Sequence, residues 1–267
     1  MRKFYAISLF LLMICLGCQL QMRPSDDEQK ADGVVIERFD RVEGIYLALG
    51  DYAALQQMKT DYPLQTRTLV EDVLQLGQVN APGADAYLLS YFRDNTLQTL
   101  IADVGREYSD VEDLNRQFTN AFQRLKRLLP EVEIPTVYTQ IGSLDQSIVV
   151  AGGMLGVSLD KYLGADYPVY LRYGYSEQQR SMMSREYIVP DAVGFYLLSL
   201  YPLPDVTEEE LAAGRRHWHM KKIQTVVNQI LGQRFFTDET IEQLERYRKS
   251  HPQLSVDGFL RLDSIPF

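Results

Sequence analysis

Imidazole is the side chain that most readily holds a metal or moves a proton near neutrality, and the 267-residue chain has three: His217, His219 and His251. His217-Trp218-His219 is their one cluster. A zinc hydrolase of the His-Glu-x-x-His type needs histidines at i and i+4 on one helix face, with the Glu between them as general base. The sequence contains no such stretch. Residues two apart on a helix diverge, and the residues around His217 and His219 read as helical. A metal-dependent hydrolase of zinc-peptidase-like fold, using His217, His219 and nearby carboxylates, is therefore the alternative reading rather than the leading one.

Nucleophiles are equally sparse. No Gly-x-Ser-x-Gly elbow occurs, and Ser143 follows a β-like run as a turn residue would. Gly152, Gly153 and Gly156 spell neither a dinucleotide fingerprint nor a phosphate loop and read as turn glycines. Carboxylates cluster at Glu131 with Glu133, and at Asp205 with Glu208, Glu209 and Glu210. They do acid–base work only when buried together, and solvated surface is the default. No catalytic residue, metal site or cofactor is expected.

One segment stands apart. From Leu159 to Tyr170, Asp160, Tyr162, Gly164, Tyr167 and Tyr170 alternate tyrosine with acid and turn formers, and Tyr173 and Tyr175 follow. Tyrosine joins a large apolar face to a hydrogen-bonding tip, which suits an interface or a ligand groove. It equally suits a structured loop capping a sheet. The segment is thus a candidate interaction or structural motif.

These groups need elements to hold them. At the start, Arg2 and Lys3 precede an apolar run from Phe4 to Gly17, the pattern of a secretory signal peptide and too short for a span of about 20 residues. Gly17 directly before Cys18 resembles a lipobox, with Cys15 where Leu is usual. Cys18 is the expected lipidation site, after a signal peptide at 1–17. No cysteine follows it, so a mature chain acylated there has neither free thiol nor disulfide. Residues 18–33 are polar, without apolar periodicity, and read as a flexible tether. Residues 34–267 are expected to form a single domain. The whole chain is 46% apolar, and this part is long enough for a sizeable core. The formal charge is −9, from 27 basic and 36 acidic residues, which argues against nucleic acid as a partner. An acidic body gains nothing from anionic headgroups, so the acyl chains must supply the membrane attachment.

From Arg41 to Leu129 the spacing predicts helices. Val42, Ile45, Tyr46 and Leu49 form one stripe. Leu69, Val73, Leu74 and Leu76 form another, with Thr66 as its N-cap, and Leu97, Leu100, Ile101 and Val104 a third. The strongest runs from Asp110 to Leu129, with Val111, Leu114, Phe118, Phe122, Leu125 and Leu129 on one face. Pro130 ends it, and Arg124, Lys126 and Arg127 complement its C-terminal dipole. Three β-like runs follow, at Ile134–Ile141, Gln146–Val150 and Met154–Leu159, with glycine at both breaks. They are expected to make an antiparallel meander. Helices are expected at Ser176–Glu186, from Pro190 to about Leu200, from Thr207 to Leu231 with a break near Gly214, and from a Thr237-Asp238-Glu239 start to Arg248. The fold class is α+β, mainly helical with a small sheet.

The run Gly156-Val157-Ser158-Leu159-Asp160-Lys161-Tyr162-Leu163-Gly164-Ala165-Asp166-Tyr167-Pro168-Val169-Tyr170 resembles the signature of the gliding-motility lipoprotein GldB family. That signature is a strand entering a Gly-x-x-Leu-Asp-x-Tyr-Leu-Gly turn. Ile36–Asp40, Asp61-Tyr62-Pro63, Leu129–Val137 and Arg185–Val193 resemble further family segments in the same order, so that the likeness spans Ile36 to Leu198. The resemblance implies a lipid-anchored cell-envelope protein of Bacteroidetes-type bacteria. It implies a role tied to gliding motility and secretion, played by binding unknown envelope proteins rather than by catalysis. It also implies a distant, zincin-like scaffold that lacks the metal-binding motif.

Overall fold

Side-chain caps or a first-turn proline mark where several of the helices begin. The computed structural model describes residues 33–203 and 209–262, with no side chains at 209–213. The expected signal peptide, Cys18, the tether up to residue 32, Asp205 and the Thr207 helix start lie outside the described residues. Contacts within Val34–Phe267 define one compact unit. It opens with α1 (Phe39–Leu49), α2 (Tyr52–Thr60), α3 (Pro63–Arg67, continued by a π-helical stretch at Thr68–Val73), α4 (Ala84–Tyr91), α5 (Asn95–Glu107) and α6 (Glu112–Leu128). Asp51 and Asp94 cap α2 and α5 by accepting first-turn N–H groups. Thr66 is no cap. Pro63, whose missing N–H costs nothing in a first turn, starts the helix earlier, and buried Thr66 donates to Met58 O at 2.7 Å.

The six apolar residues foreseen on α6 are all buried, Val111 and Leu129 flanking it at either end. At its basic end Lys126 donates to Val132 O at 3.0 Å and Arg124 donates to Leu231 O, both acceptors lying outside the helix. On α1 the expected stripe is wrong by half. Val42 and Tyr46 are buried, but Ile45 and Leu49 are 48% and 78% exposed. The inner face carries Phe39, Leu47 and two carboxylates, Asp40 and Glu43. Both acids serve the sheet, and that use outweighs their hydrophilicity.

The sheet contains β1 (Thr136–Gln140), β2 (Ile148–Ala151) and β3 (Met154–Ser158) in the order β1-β3-β2. It is not a meander. β2 and β3 form an antiparallel hairpin across Gly152 and Gly153, whose φ values of 56° and 75° suit a tight turn. β3 then pairs parallel with β1, Thr136 facing Met154 and Gln140 facing Ser158. A parallel pair needs a crossover of about a dozen residues or more, and residues 141–153, with β2 inside them, provide it. Gly156 is not a turn residue either. A Cβ there would lie 2.8 Å from Tyr138 Cε1 and nearer still to Cζ, because the Tyr138 ring crosses β3 at that point. Val34 to Arg38, readable as strand or helix start, runs extended along the outer edge of β1: Glu37 N–H donates to Val137 O, and Thr139 N–H to Glu37 O.

After a 3₁₀ turn at Leu159–Lys161 come α7 (Pro168–Arg172), α8 (Glu177–Arg180), α9 (Ile188–Leu200), α10 (Glu209–Leu231), α11 (Glu239–Ser250) and α12 (Val256–Leu260). Ser176–Glu186 is therefore only a short helix closed by a Ser176–Gln179 capping box. α10 passes Gly214 without a break. Asp238 caps α11 as foreseen, while Ser255 starts the unforeseen α12. The architecture is α+β, with helices before and after a small mixed sheet.

Candidate functional site

The signature segment leaves β3 and turns inward at once. Asp160, on the 3₁₀ turn, is 0% exposed. One of its oxygens accepts Gly142 N–H at 2.7 Å and the other accepts Leu144 N–H at 2.6 Å. The β1–β2 loop is thereby tied to the segment that follows β3. The loop needs the tie, since Ser143 and Leu144 both sit at left-handed φ, 55° and 65°, where side chains are disfavoured. Gly142 fits because a Cβ would lie 2.6 Å from Ser158 Oγ. Burial pushes the Asp160 carboxyl up, against the pull of the two N–H groups and of Lys161.

The tyrosines serve the same end. Tyr170, fully buried, donates from its hydroxyl to Asp160 O at 2.6 Å and accepts Leu163 N–H at 2.9 Å. Tyr162, 2% exposed, receives the Tyr108 hydroxyl on its carbonyl at 2.5 Å. Tyr167 stacks edge-on against Tyr170 with ring centroids 5.1 Å apart and donates to Asp103 at 2.8 Å. Gly164, at φ 107°, supplies the backbone bend and donates to Met183 O. Asp160 and Tyr170 expose no surface, and Tyr162 exposes 2%.

The clasp shapes a cleft of about 180 Å³. Lys161, Tyr175 and Ser147 line one part of it, Met182 and Met183 another, and Tyr162 with Asp191 the remainder. Lys161 Nζ donates to Leu144 O at 3.2 Å and to the Tyr175 hydroxyl at 3.0 Å. The same Leu144 carbonyl accepts the Tyr175 hydroxyl at 3.1 Å. Asp191, in the first turn of α9, accepts the Tyr162 hydroxyl at 2.9 Å. Burial pushes its carboxyl up to about 6, against the lowering by that bond. Lys161 and Asp191 are the residues that sequence reasoning did not single out. Lys161 lay inside the quoted run, Tyr175 was named only as following it, and Asp191 read only as part of a helix start.

A second group of acids is buried where α1 meets the end of β1. Asp40 accepts both Arg38 Nε and Nη2, at 2.8 and 2.7 Å, and also the Thr139 hydroxyl. Glu43, 0% exposed, accepts Ile141 N–H at 2.8 Å with one oxygen, and the other has no hydrogen-bond partner among the described residues. Burial raises Glu43 well above the usual carboxylate range, and the fields of Asp40 and Asp160 add to it. Glu131 and Glu133, by contrast, are exposed.

The histidines go separate ways. His217 is exposed and His219 buried, its Nε2 2.6 Å from Tyr201 O. Burial lowers the His219 pKa, and His251 stacks on Tyr247. Among the described residues no three His, Cys, Asp or Glu side chains converge to hold a metal, and no helix is long and apolar enough to cross a membrane. Ser143 shares a 3.0 Å hydrogen bond with the Tyr91 hydroxyl in its turn.

Comparison with known proteins places this geometry. The family described as gliding motility protein GldB matches residues 21–253, well past the Leu198 limit of the resemblance and through all of α10 and α11. No curated protein and no solved structure matches the chain, so nothing supports the expected likeness to zinc peptidases. The chain belongs to the GldB family of gliding motility proteins.

Proposed function

We propose that this GldB family member is a lipid-anchored envelope protein, acylated at Cys18, that acts by binding another protein at the cleft beside Lys161 and Asp191. The observation that carries the reading is the size and setting of that cleft. Small-molecule sites usually enclose about 300–1,000 Å³. A hollow of about 180 Å³ instead matches one inserted side chain, the anchor of a protein interface. Lys161 and Tyr162, from the segment that follows β3, supply part of its wall. Acyl chains at Cys18 and the polar stretch after it would hold the acidic body at the bilayer, since each buried CH₂ contributes about 0.8 kcal/mol.

Two measurements test it. Mass spectrometry of the mature protein should find residue 18 as the N-terminus, carrying diacylglycerol. A different, unmodified N-terminus overturns the anchor. A photo-cross-linker at exposed Gln179, on the rim of the cleft, should join a discrete polypeptide in intact cells. Adducts no more discrete than those from exposed Glu131 overturn the docking site.

A further inference from the structure

We propose, on the basis of the docking reading above, that the side chain received by the cleft is a lysine or arginine of the partner, its charged head on Asp191. The argument begins with what Asp191 lacks. Several other acids of the fold have their charge answered: Asp40 by a bidentate Arg38, Asp113 by Arg185, Asp238 by Lys221, and Asp160 by two backbone N–H groups. Asp191 has the Tyr162 hydroxyl on one oxygen, and no ion pair to it occurs among the described residues. A carboxylate half withdrawn from water and facing no cation gains more from an incoming one than a surface carboxylate does.

Lys161 does not fill that role. Two of its three N–H groups go to Leu144 O and the Tyr175 hydroxyl, and its charge bears on Asp145 and Asp160. Burial raises the Asp191 pKa and the Tyr162 hydroxyl lowers it. The ionisable groups lining the cleft are thus Asp191 and Lys161, with Tyr162 and Tyr175 as phenols, on a chain whose net charge is −9. The net negative charge of the chain steers a basic partner and repels an acidic one. The remaining wall suits the stem of the same side chain. Met182 is 40% exposed at the mouth and Met183 lies behind it, and flexible thioethers pack readily against methylene chains.

The probes are N-acetyl-lysine amide, its uncharged analogue N-acetyl-norleucine amide, and N-acetyl-glutamate amide. Each is titrated into the full-length chain in detergent with methyl-labelled methionines. The lysine probe should move the Met183 methyl signal saturably, and binding should weaken about tenfold in Asp191→Asn, which keeps an acceptor for Tyr162. Met182→Lys, at an exposed position, should weaken it as well. Equal binding of norleucine, preference for glutamate, or unchanged binding in Asp191→Asn overturns the assignment. If the lysine probe fails while Gln179 still cross-links a partner polypeptide, this assignment falls and the docking reading stands. Failure of both experiments removes both.

Discussion

Asp160 Oδ2 accepts the backbone N–H of Leu144 at 2.6 Å, so a fully buried carboxylate holds a residue whose φ is 65°. The carboxylate is sixteen residues later in the chain, beyond the whole of β2 and β3. It acts as the pin through which the signature segment sets the position of the β1–β2 loop, and with it one side of the cleft.

Asp160→Asn keeps one acceptor and turns an amide N–H₂ toward a backbone donor. A buried donor left without its acceptor costs about 1–3 kcal/mol, and the left-handed loop loses its restraint as well. We expect a loss of about 2–4 kcal/mol in urea unfolding with an unchanged m-value. A loss below about 0.5 kcal/mol, the range of surface substitutions, would contradict the clasp. Cross-linking from Gln179 should weaken in the same variant, because the cleft wall moves.

Glu43 makes stability depend on pH in the direction opposite to a salt-bridged acid. Its folded-state pKa lies above the unfolded value, so between the two the native state holds a proton that the unfolded chain has released. Stability is then greatest in acid and declines as pH rises from about 4.3, by up to about 1.4 kcal/mol per unit. Glu43→Gln removes that decline while keeping an acceptor for Ile141 N–H. Plotted against pH, the difference in unfolding free energy between variant and parent should grow in favour of the variant from pH 4 to 8. A flat difference means Glu43 titrates as if exposed.

Gly156 and Tyr138 should be coupled. Gly156→Ala places a methyl group against the Tyr138 ring, and overpacking of this kind costs about 1–3 kcal/mol. Tyr138→Leu opens a cavity but removes the clash, so the double variant should be more stable than the sum of the two losses implies. Additivity within about 0.5 kcal/mol would show that the two do not meet.

Removal of the Tyr162 hydroxyl tests the chemistry of the cleft without disturbing its shape. That hydroxyl lowers the Asp191 pKa against burial. In Tyr162→Phe the carboxyl should titrate above the value of about 6 that holds in the parent, as read from its carbon-13 signal. A downward move would show that another donor controls Asp191.

Much of the architecture follows from local rules that a linear reading applies correctly. The α6 stripe, the Asp238 cap and the glycine turn at 152–153 are settled by side chains within a few residues of one another, so spacing alone locates them. The Asp160 to Tyr170 segment was legible as special for the same reason, though spacing could not say whether its tyrosines face outward.

What the tertiary structure decided was where polar groups end up. Asp40, Glu43, Asp160 and Asp191 look no different in sequence from the exposed pair Glu131 and Glu133. A carboxylate leaves water only when donors from distant parts of the chain converge on it, as Ile141 does on Glu43 and Gly142 and Leu144 do on Asp160. The parallel pairing of β1 with β3 is of the same kind. Alternation gives a strand its faces, but its neighbour is chosen by how a loop, itself held by a buried acid, brings the chain back.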